Sequence, residues 1–544
     1  MKPFQPDGTF HPVETGKGLR RTAVRGAGAA IMGSAGNFFV GIGTVVILAR
    51  LLTPSDFGIV TMVTTFSLLL RSFGLNGFTE LMVQRDEVTD SLASNLFWIN
   101  SIIGVILTVA FAGCGRLLAL FFHTKSVIEV TWGLSLTIAI GCFGYIHTGL
   151  LQRAMHFRTI ALINFLGQVF QFLVSIVLAF AGWHYWALVW GSVAQTATLT
   201  IGAWIACRWL PSRPSRASGT GSGMKFAMNV YFHYAFWYFT RNTDNLLVGW
   251  RFGDAALGFY KKAYDLFVLP QTQLLVPMNA VVVSTLSRVR QDRKQFEAYL
   301  IGAISVLALV GMGVGADFAL VGRDIIRFLF GPGWDEAGRI FALFGPGIGV
   351  MMLYNTHGWI HLSLGTPERW FRWGLIEFVS TASLFVLALH WGPHGIALAW
   401  TVSYFLLMFP GFWYAGKPIG LSFWHIFAHI WQYFTASFVA AIATALIVAE
   451  IPHFPVSSST HGALLRMISV SLIFFTLYLA TVVALHGGLR PITDTLGLIR
   501  ELLPARFGGH KSEPIVTIEV AEVDLKLGAE IEAKSRVAAV SECN

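Results

Sequence analysis

Four polar residues crowd into an otherwise apolar stretch: Arg241, Asn242, Asp244 and Asn245. Arg241 and Asp244 are three apart, so a helix carries them on one face. An ionisable group within an apolar span is costly and faces a wet cavity or a partner by default. The chemistry open to this face is electrostatic. A guanidinium stays charged, and its planar fork grips phosphate oxygens in pairs. The face therefore reads as a cavity wall that attracts a pyrophosphate, with Arg241, Asp244 and Asn245 as substrate-binding candidates. A locally neutralised pair packing one helix on its neighbour explains the same residues without a ligand. Arg71 is a second cavity candidate, and snorkelling to head groups is its alternative. Arg372 is a third, or an anchor at the membrane surface. Glu377, deeper in the same stretch, is an ion-coupling candidate along with Asp244, or one half of a salt bridge. Asp265 follows Lys261 and Lys262 by one turn and is expected to pair with them.

Other spacings point away from catalysis. His357 and His361 are four apart, as a metal pair requires, but Gly358 stands where a zinc protease carries its general-base glutamate. They read as structural histidines, and no metal is expected. The runs Gly311-Met312-Gly313-Val314-Gly315 and Gly345-Pro346-Gly347 lie in apolar stretches with no preceding strand. They suit close helix packing rather than nucleotide phosphates. No Walker A sequence is present, no cofactor is expected, and no residues are assigned a catalytic role.

The elements that must position these groups are membrane helices. The hydrophobic fraction is 55% and the charged fraction 12%, about half the charge of a soluble domain. Apolar runs of about 20 residues recur along most of the chain. The reading is an all-α polytopic membrane protein with about fourteen spans. Six fall near 28–49, 58–78, 94–122, 129–151, 161–182 and 185–207. Six more fall near 227–250, 264–286, 297–320, 338–363, 372–391 and 394–414. Two follow near 425–449 and 464–486. The expected domains are an N-terminal tail (1–25), an N-lobe (26–210), a linker (211–224), a C-lobe (225–415), a final helix pair (416–486) and a polar tail (487–544). The stretch 515–527 alternates enough for a short strand or for disorder. Aromatics such as Trp183, Tyr185 and Trp186 fall at span ends, as an interfacial belt does.

Charge sets the orientation. Lys and Arg concentrate in the N-terminal flank and in alternate connections, from Arg85 through Arg153, Arg213, Arg290 and Arg369 to Lys417. That distribution places both termini and the linker in the cytoplasm. Two connections break the trend, one with Arg251, Lys261 and Lys262 and the other with Arg323, Arg327 and Arg339. The net charge of +9 is thus mainly a topology signal. It lacks the basic face with stacking aromatics that a nucleic-acid partner would need. The four cysteines suggest no disulfide framework.

A repeat underlies the arrangement. LARLLTPSDFGIV (48–60) and VGWRFGDAALGFY (248–260) align without gaps at an offset of 200 residues, with Gly58 matching Gly258. Six expected helices separate the two corners. Two six-helix halves of like orientation follow from this, with substrate held between them near the midplane.

At these corners the chain resembles bacterial polysaccharide-export flippases of the multidrug/oligosaccharidyl-lipid/polysaccharide exporter superfamily, most nearly the colanic-acid-exporter branch. The first corner runs Ala49-Arg50-Leu51-Leu52-Thr53-Pro54-Ser55-Asp56-Phe57-Gly58. The second runs from Asp244-Asn245-Leu246-Leu247-Val248-Gly249 through Leu257-Gly258-Phe259-Tyr260 and Ala263-Tyr264 to Leu269-Pro270. Gly74-Leu75 and Val83-Gln84-Arg85 match as well. The resemblance implies two lobes forming a V, fourteen helices, and flipping of an undecaprenyl-pyrophosphate-linked repeat unit in a bacterial inner membrane. It further implies a lipid-linked oligosaccharide as substrate, contact with membrane lipids, and a polysaccharide polymerase and chain-length regulator as partners. Lys261-Lys262 and the long polar tail depart from the pattern. The alternatives are another exporter of the superfamily, for drugs or the peptidoglycan precursor, and a membrane glycosyltransferase or polymerase. Such an enzyme needs a large outer loop with acidic residues near an early span, and the first loop here holds only Asp56.

Overall fold

The computed structural model describes residues 2–10, 17–85, 87–215, 220–451, 459–493, 495 and 497. The stretch 515–527 lies outside them. The described residues are helical, with isolated β-bridges at Phe4–Phe10 and Thr9–Thr89 in place of any longer strand.

The first group of helices is α1 (Lys17–Leu51), α2 (Pro54–Ser72), α3 (Thr79–Gln84), α4 (Asp90–Gly113), α5 (Gly115–Phe122), α6 (Val127–Arg153), α7 (Phe157–Phe180) and α8 (Tyr185–Cys207). The second is α9 (Thr220–Pro270), α10 (Val276–Arg288), α11 (Arg293–Phe330), α12 (Asp335–Asn355), α13 (His357–Ser363), α14 (Pro367–Ala388) and α15 (Gly392–Gly416). Two more close the order, α16 (Phe423–Glu450) and α17 (Thr460–His486).

Local chemistry explains where these helices start and break. Thr53 caps α2: its hydroxyl accepts from the Asp56 amide at 3.3 Å, and the Asp56 carboxylate accepts from the Thr53 amide at 2.9 Å. This capping box, with Pro54 at the first helical position, starts α2 four residues before the expected 58. Asp292 and Ser459 cap α11 and α17 more simply, each side chain accepting one amide, from Gln295 and from Gly462. Pro270 supplies no amide, and the chain passes through a π-helical turn at Gln271–Leu275 before α10. The expected single spans 94–122 and 338–363 are each interrupted, at Cys114 and at Thr356. In α9 the repeat's second corner has shrunk to one residue, Gly253, at φ 82° and ψ −172°. Only glycine adopts that backbone readily.

Among the described residues, nine helical runs are long and apolar enough to cross a bilayer. One of them, Pro367–Ile419, contains both α14 and α15. The runs at α8 and α9 fall outside that set. Ser192, Gln195, Thr196, Thr198 and Thr200 lower the hydropathy of α8, and α9 carries the Arg241 group.

In the first group α7 packs on α1 and α8, and α6 packs on α2, α4 and α8. In the second, α12 packs on α9, α11 and α15, while α16 and α17 lie against α11. The two groups meet chiefly where α2 runs along α9. The linker is tied down on the start of α4. Asn95 exchanges hydrogen bonds with the Ser215 backbone at 2.6 and 2.9 Å, and Asp90 accepts from Trp209 and Ser212, both at 2.7 Å. The N-terminal segment docks at the same end. Phe4 lies against Trp209 with ring centroids 5.9 Å apart, and the Gly8 carbonyl accepts from the Asp90 amide at 2.8 Å.

Candidate functional site

The repeat is realised as a reciprocal contact. A Cβ at Gly58 would fall 1.8 Å from the Asp254 carbonyl oxygen, and a Cβ at Gly258 would fall 1.8 Å from the Pro54 carbonyl oxygen. Each glycine thus seats its helix on the first turn of the other corner, and Ser55 Oγ donates to Asp254 Oδ2 at 2.6 Å. Further ties join the two groups at this corner end. The Arg50 guanidinium donates to the Leu329 and Phe328 carbonyls at 3.0 and 2.6 Å, and Trp334 Nε1 donates to the Ala49 carbonyl at 2.7 Å. Lys262 lies 4.3 Å above the Phe57 ring. Asp265 accepts from Lys261 at 2.7 Å and stands 3.7 Å from Lys262, so the expected trio is brought together.

The candidate residues of α9 divide. Arg241 is half-buried and reaches α15 and α12. It donates to the Tyr404 hydroxyl at 3.3 Å and to Asn355 Oδ1 at 3.4 Å. Glu377, on α14, acts electrostatically on both Arg241 and Tyr354. Trp373 Nε1 fixes that tyrosine hydroxyl at 2.8 Å. Arg241 and Glu377 thus influence each other through charge, with no ion pair between them among the described residues. Asp244 is elsewhere: it is fully buried, and its Oδ2 accepts from Tyr260 at 2.7 Å and Trp400 at 2.9 Å. Its Oδ1 accepts from the Asn245 amide at 2.8 Å. Both oxygens are occupied by protein donors, so Asp244 pins α9 to α15. Asn245 is 2% exposed and donates to Asn242 at 3.2 Å.

Arg71 lies in the first group and apart from these. Its Nε is 3.5 Å from the Tyr145 hydroxyl. It lines a cavity of about 100 Å³ with Thr148, Asn164, Thr196 and Thr200 among the walls. Arg372 is exposed at the start of α14 and is not brought into either group. His357 and His361 approach edge to face at 5.9 Å, and the Nδ1 atoms lie 2.6 Å from the Tyr354 carbonyl and 3.3 Å from the Thr366 hydroxyl.

Sequence reading missed the aromatic column around Arg241 and Asp244. Tyr260 and Tyr264 stack at 6.2 Å, Trp400 and Tyr404 at 5.5 Å, and Tyr354 meets Tyr404 at 5.6 Å. The signal was present as two i, i+4 aromatic pairs on apolar helices. Arg50 was missed as an inter-group tie, although it stood inside the first corner motif.

This is the fold of a multi-pass membrane transporter. A solved lipid II flippase in an inward closed conformation aligns at a TM-score of 0.65 and 16% identity, over 83% of this chain and all (100%) of that one. An inward-facing multidrug transporter of the MATE family, in the MOP superfamily, aligns at 0.56 and 14%, over 71% and 94%. Residues 47–339, more than half of the chain, match the polysaccharide biosynthesis protein family, and the protein belongs to that family. It is 23% identical to the teichuronic acid biosynthesis protein TuaB of Bacillus subtilis (strain 168) over 57% of this chain and 67% of that one. It is 22% identical to the succinoglycan biosynthesis transport protein ExoT of Rhizobium meliloti (strain 1021) over 66% and 73%. It is 20% identical to the lipopolysaccharide biosynthesis protein WzxC of Escherichia coli (strain K12) over 58% and 65%.

Proposed function

We propose that the protein flips undecaprenyl-pyrophosphate-linked oligosaccharide repeat units from the cytoplasmic to the periplasmic leaflet of a bacterial inner membrane, by alternating access between its two halves. The observation that carries this reading is a cation within the membrane domain of each half, Arg71 beside Tyr145 and Arg241 beside Tyr404. A bare pyrophosphate cannot cross hydrocarbon, because desolvating it costs several kcal/mol or far more. Two fixed guanidinium groups replace part of that hydration while the acyl chain stays in lipid. The relatives serve different polymers, namely teichuronic acid, succinoglycan and lipopolysaccharide. A head group common to many sugars is thus a better recognition element than any one sugar.

The positive-inside distribution puts the corner end on the periplasmic side. There the Gly58–Gly258 seam and Arg50 hold the halves together, so this state is closed outward. Glu377 takes the ion-coupling role, since it is half-buried and acts on Arg241 through charge. Asp244 has a structural role, because its oxygens are already bound. A polymerase and a chain-length regulator would take up the product outside.

The test is reconstitution in liposomes with a defined lipid-linked oligosaccharide, scored by accessibility to an external glycosidase. Flipping well above the protein-free rate is expected. A rate equal to that of empty liposomes, with and without proton or sodium gradients, would refute the proposal. Fast flipping indifferent to any gradient would retain the transport and remove Glu377 as a coupling site.

A further inference from the structure

Arg323, Arg327 and Arg339 are basic residues in a connection where the charge distribution calls for few. The structure gathers them with Arg466 of α17 around one cavity of about 410 Å³ between α11, α12 and α17. Four guanidinium groups there face two carboxylates, Asp324 and Asp335. Arg327 is held in a two-pronged pair by Asp335, with Nε 2.9 Å from Oδ1. Arg339 is held by Glu336 at 3.0 Å. The other two are less committed. Arg466 Nε stands 3.6 Å from Asp324 and is buried without a hydrogen bond, while Arg323 is exposed with no ion pair among the described residues. Glycines keep the walls close: a Cβ at Gly338 would lie 3.0 Å from Arg323 Cα, and one at Gly322 would lie 3.3 Å from the Ala342 backbone.

Arg323 precedes the end of α11 by seven residues, and Arg466 follows the start of α17 by six. At 1.5 Å per residue both lie about 10 Å from the helix ends, nearer the membrane surface than its midplane.

We infer that this cavity is a binding site for a phosphate group, closed on one side by Arg327 and Arg339 already set by carboxylates and completed by Arg323 and Arg466. Two arginine forks match the paired oxygens of a phosphomonoester or pyrophosphate. The volume falls within the range of small-ligand sites. This inference is separate from the transport reading, since it concerns binding at one end of the second half and requires no flipping.

The experiment uses the full chain in neutral phosphatidylcholine nanodiscs. Inorganic pyrophosphate is titrated by calorimetry, and retention of phosphatidate is read by native mass spectrometry. A single saturable site is expected for at least one of the two probes, weakening as salt screens the charges. R323Q should weaken it at least threefold and R323Q/R466Q at least tenfold, with R323Q melting like the parent because Arg323 is exposed and forms no ion pair among the described residues. D324N, which releases Arg466 from its carboxylate, should tighten binding severalfold, and this arm holds if the double variant fails to fold. Phosphatidate retained without pyrophosphate assigns a lipid head group, and the reverse assigns a soluble anion. Binding of neither probe, or R323Q binding like the parent, overturns the site.

Discussion

Alanine in place of Gly58 would put a methyl group 1.8 Å from the Asp254 carbonyl oxygen. Backbone lies on both sides, so no side chain can swing away. To reach ordinary contact near 3.4 Å, α2 and α9 must part by about 1.6 Å. Overpacking of this kind costs about 1–3 kcal/mol, which moves a two-state equilibrium by roughly 5–150-fold. The state that suffers is the one with the corner end closed. Ser55 and Asp254 report on it, since their side chains touch at 2.6 Å. An S55C/D254C pair, in a background with Cys114, Cys142, Cys207 and Cys543 replaced, should cross-link rapidly in oxidised membranes. Adding G58A should slow that cross-linking at least fivefold and slow transport in liposomes. Equal cross-linking with and without G58A, in protein of unchanged melting temperature, would refute the claim that this seam must open and close.

Three further outcomes are expected. R241A should abolish polymer export while the protein remains in the membrane, and R241K should restore only part of it, because lysine offers a point charge in place of a fork; normal export would end the cavity assignment. D244N should lower stability by about 1–3 kcal/mol in a thermal melt, since the amide turns a donor towards Tyr260 and Trp400; an unchanged melt would remove the pinning role. Phosphatase fusions at Gly223 and after Arg506 should be inactive and one near Ser457 active, and activity at both of the first two would overturn the topology.

Periodicity and loop charge made the helix order legible because spanning length is dictated by bilayer thickness. Helix ends were less legible. The start of α2 at Pro54 was encoded in Thr53-x-x-Asp56, a capping signal that hydropathy does not register. The break at Gly253 resembled an ordinary loop, because a one-residue corner and a short loop contain the same turn-forming residues. Arg241 stood out as a charge in an apolar run, but its electrostatic link to Glu377 depends on how α9 and α14 pack, across more than a hundred residues of chain. Asp244, three residues on, looked equally available. Only the positions of Tyr260 and Trp400 reveal that its oxygens are occupied. The arginines of α11 and α12 were visible as exceptions to the charge rule, and their shared cavity with Arg466 was not, because α17 is distant in sequence.

The glycine seam has the bonding pattern of an isologous interface: position 58 meets 254 while 258 meets 54. The two contacts flank an approximate two-fold axis, as in a dimer of identical subunits. Loosening one therefore loads the other, and the pair breaks as a single event rather than in sequence. A joint built in this manner favours all-or-none separation, so partly open forms of the corner end should be short-lived.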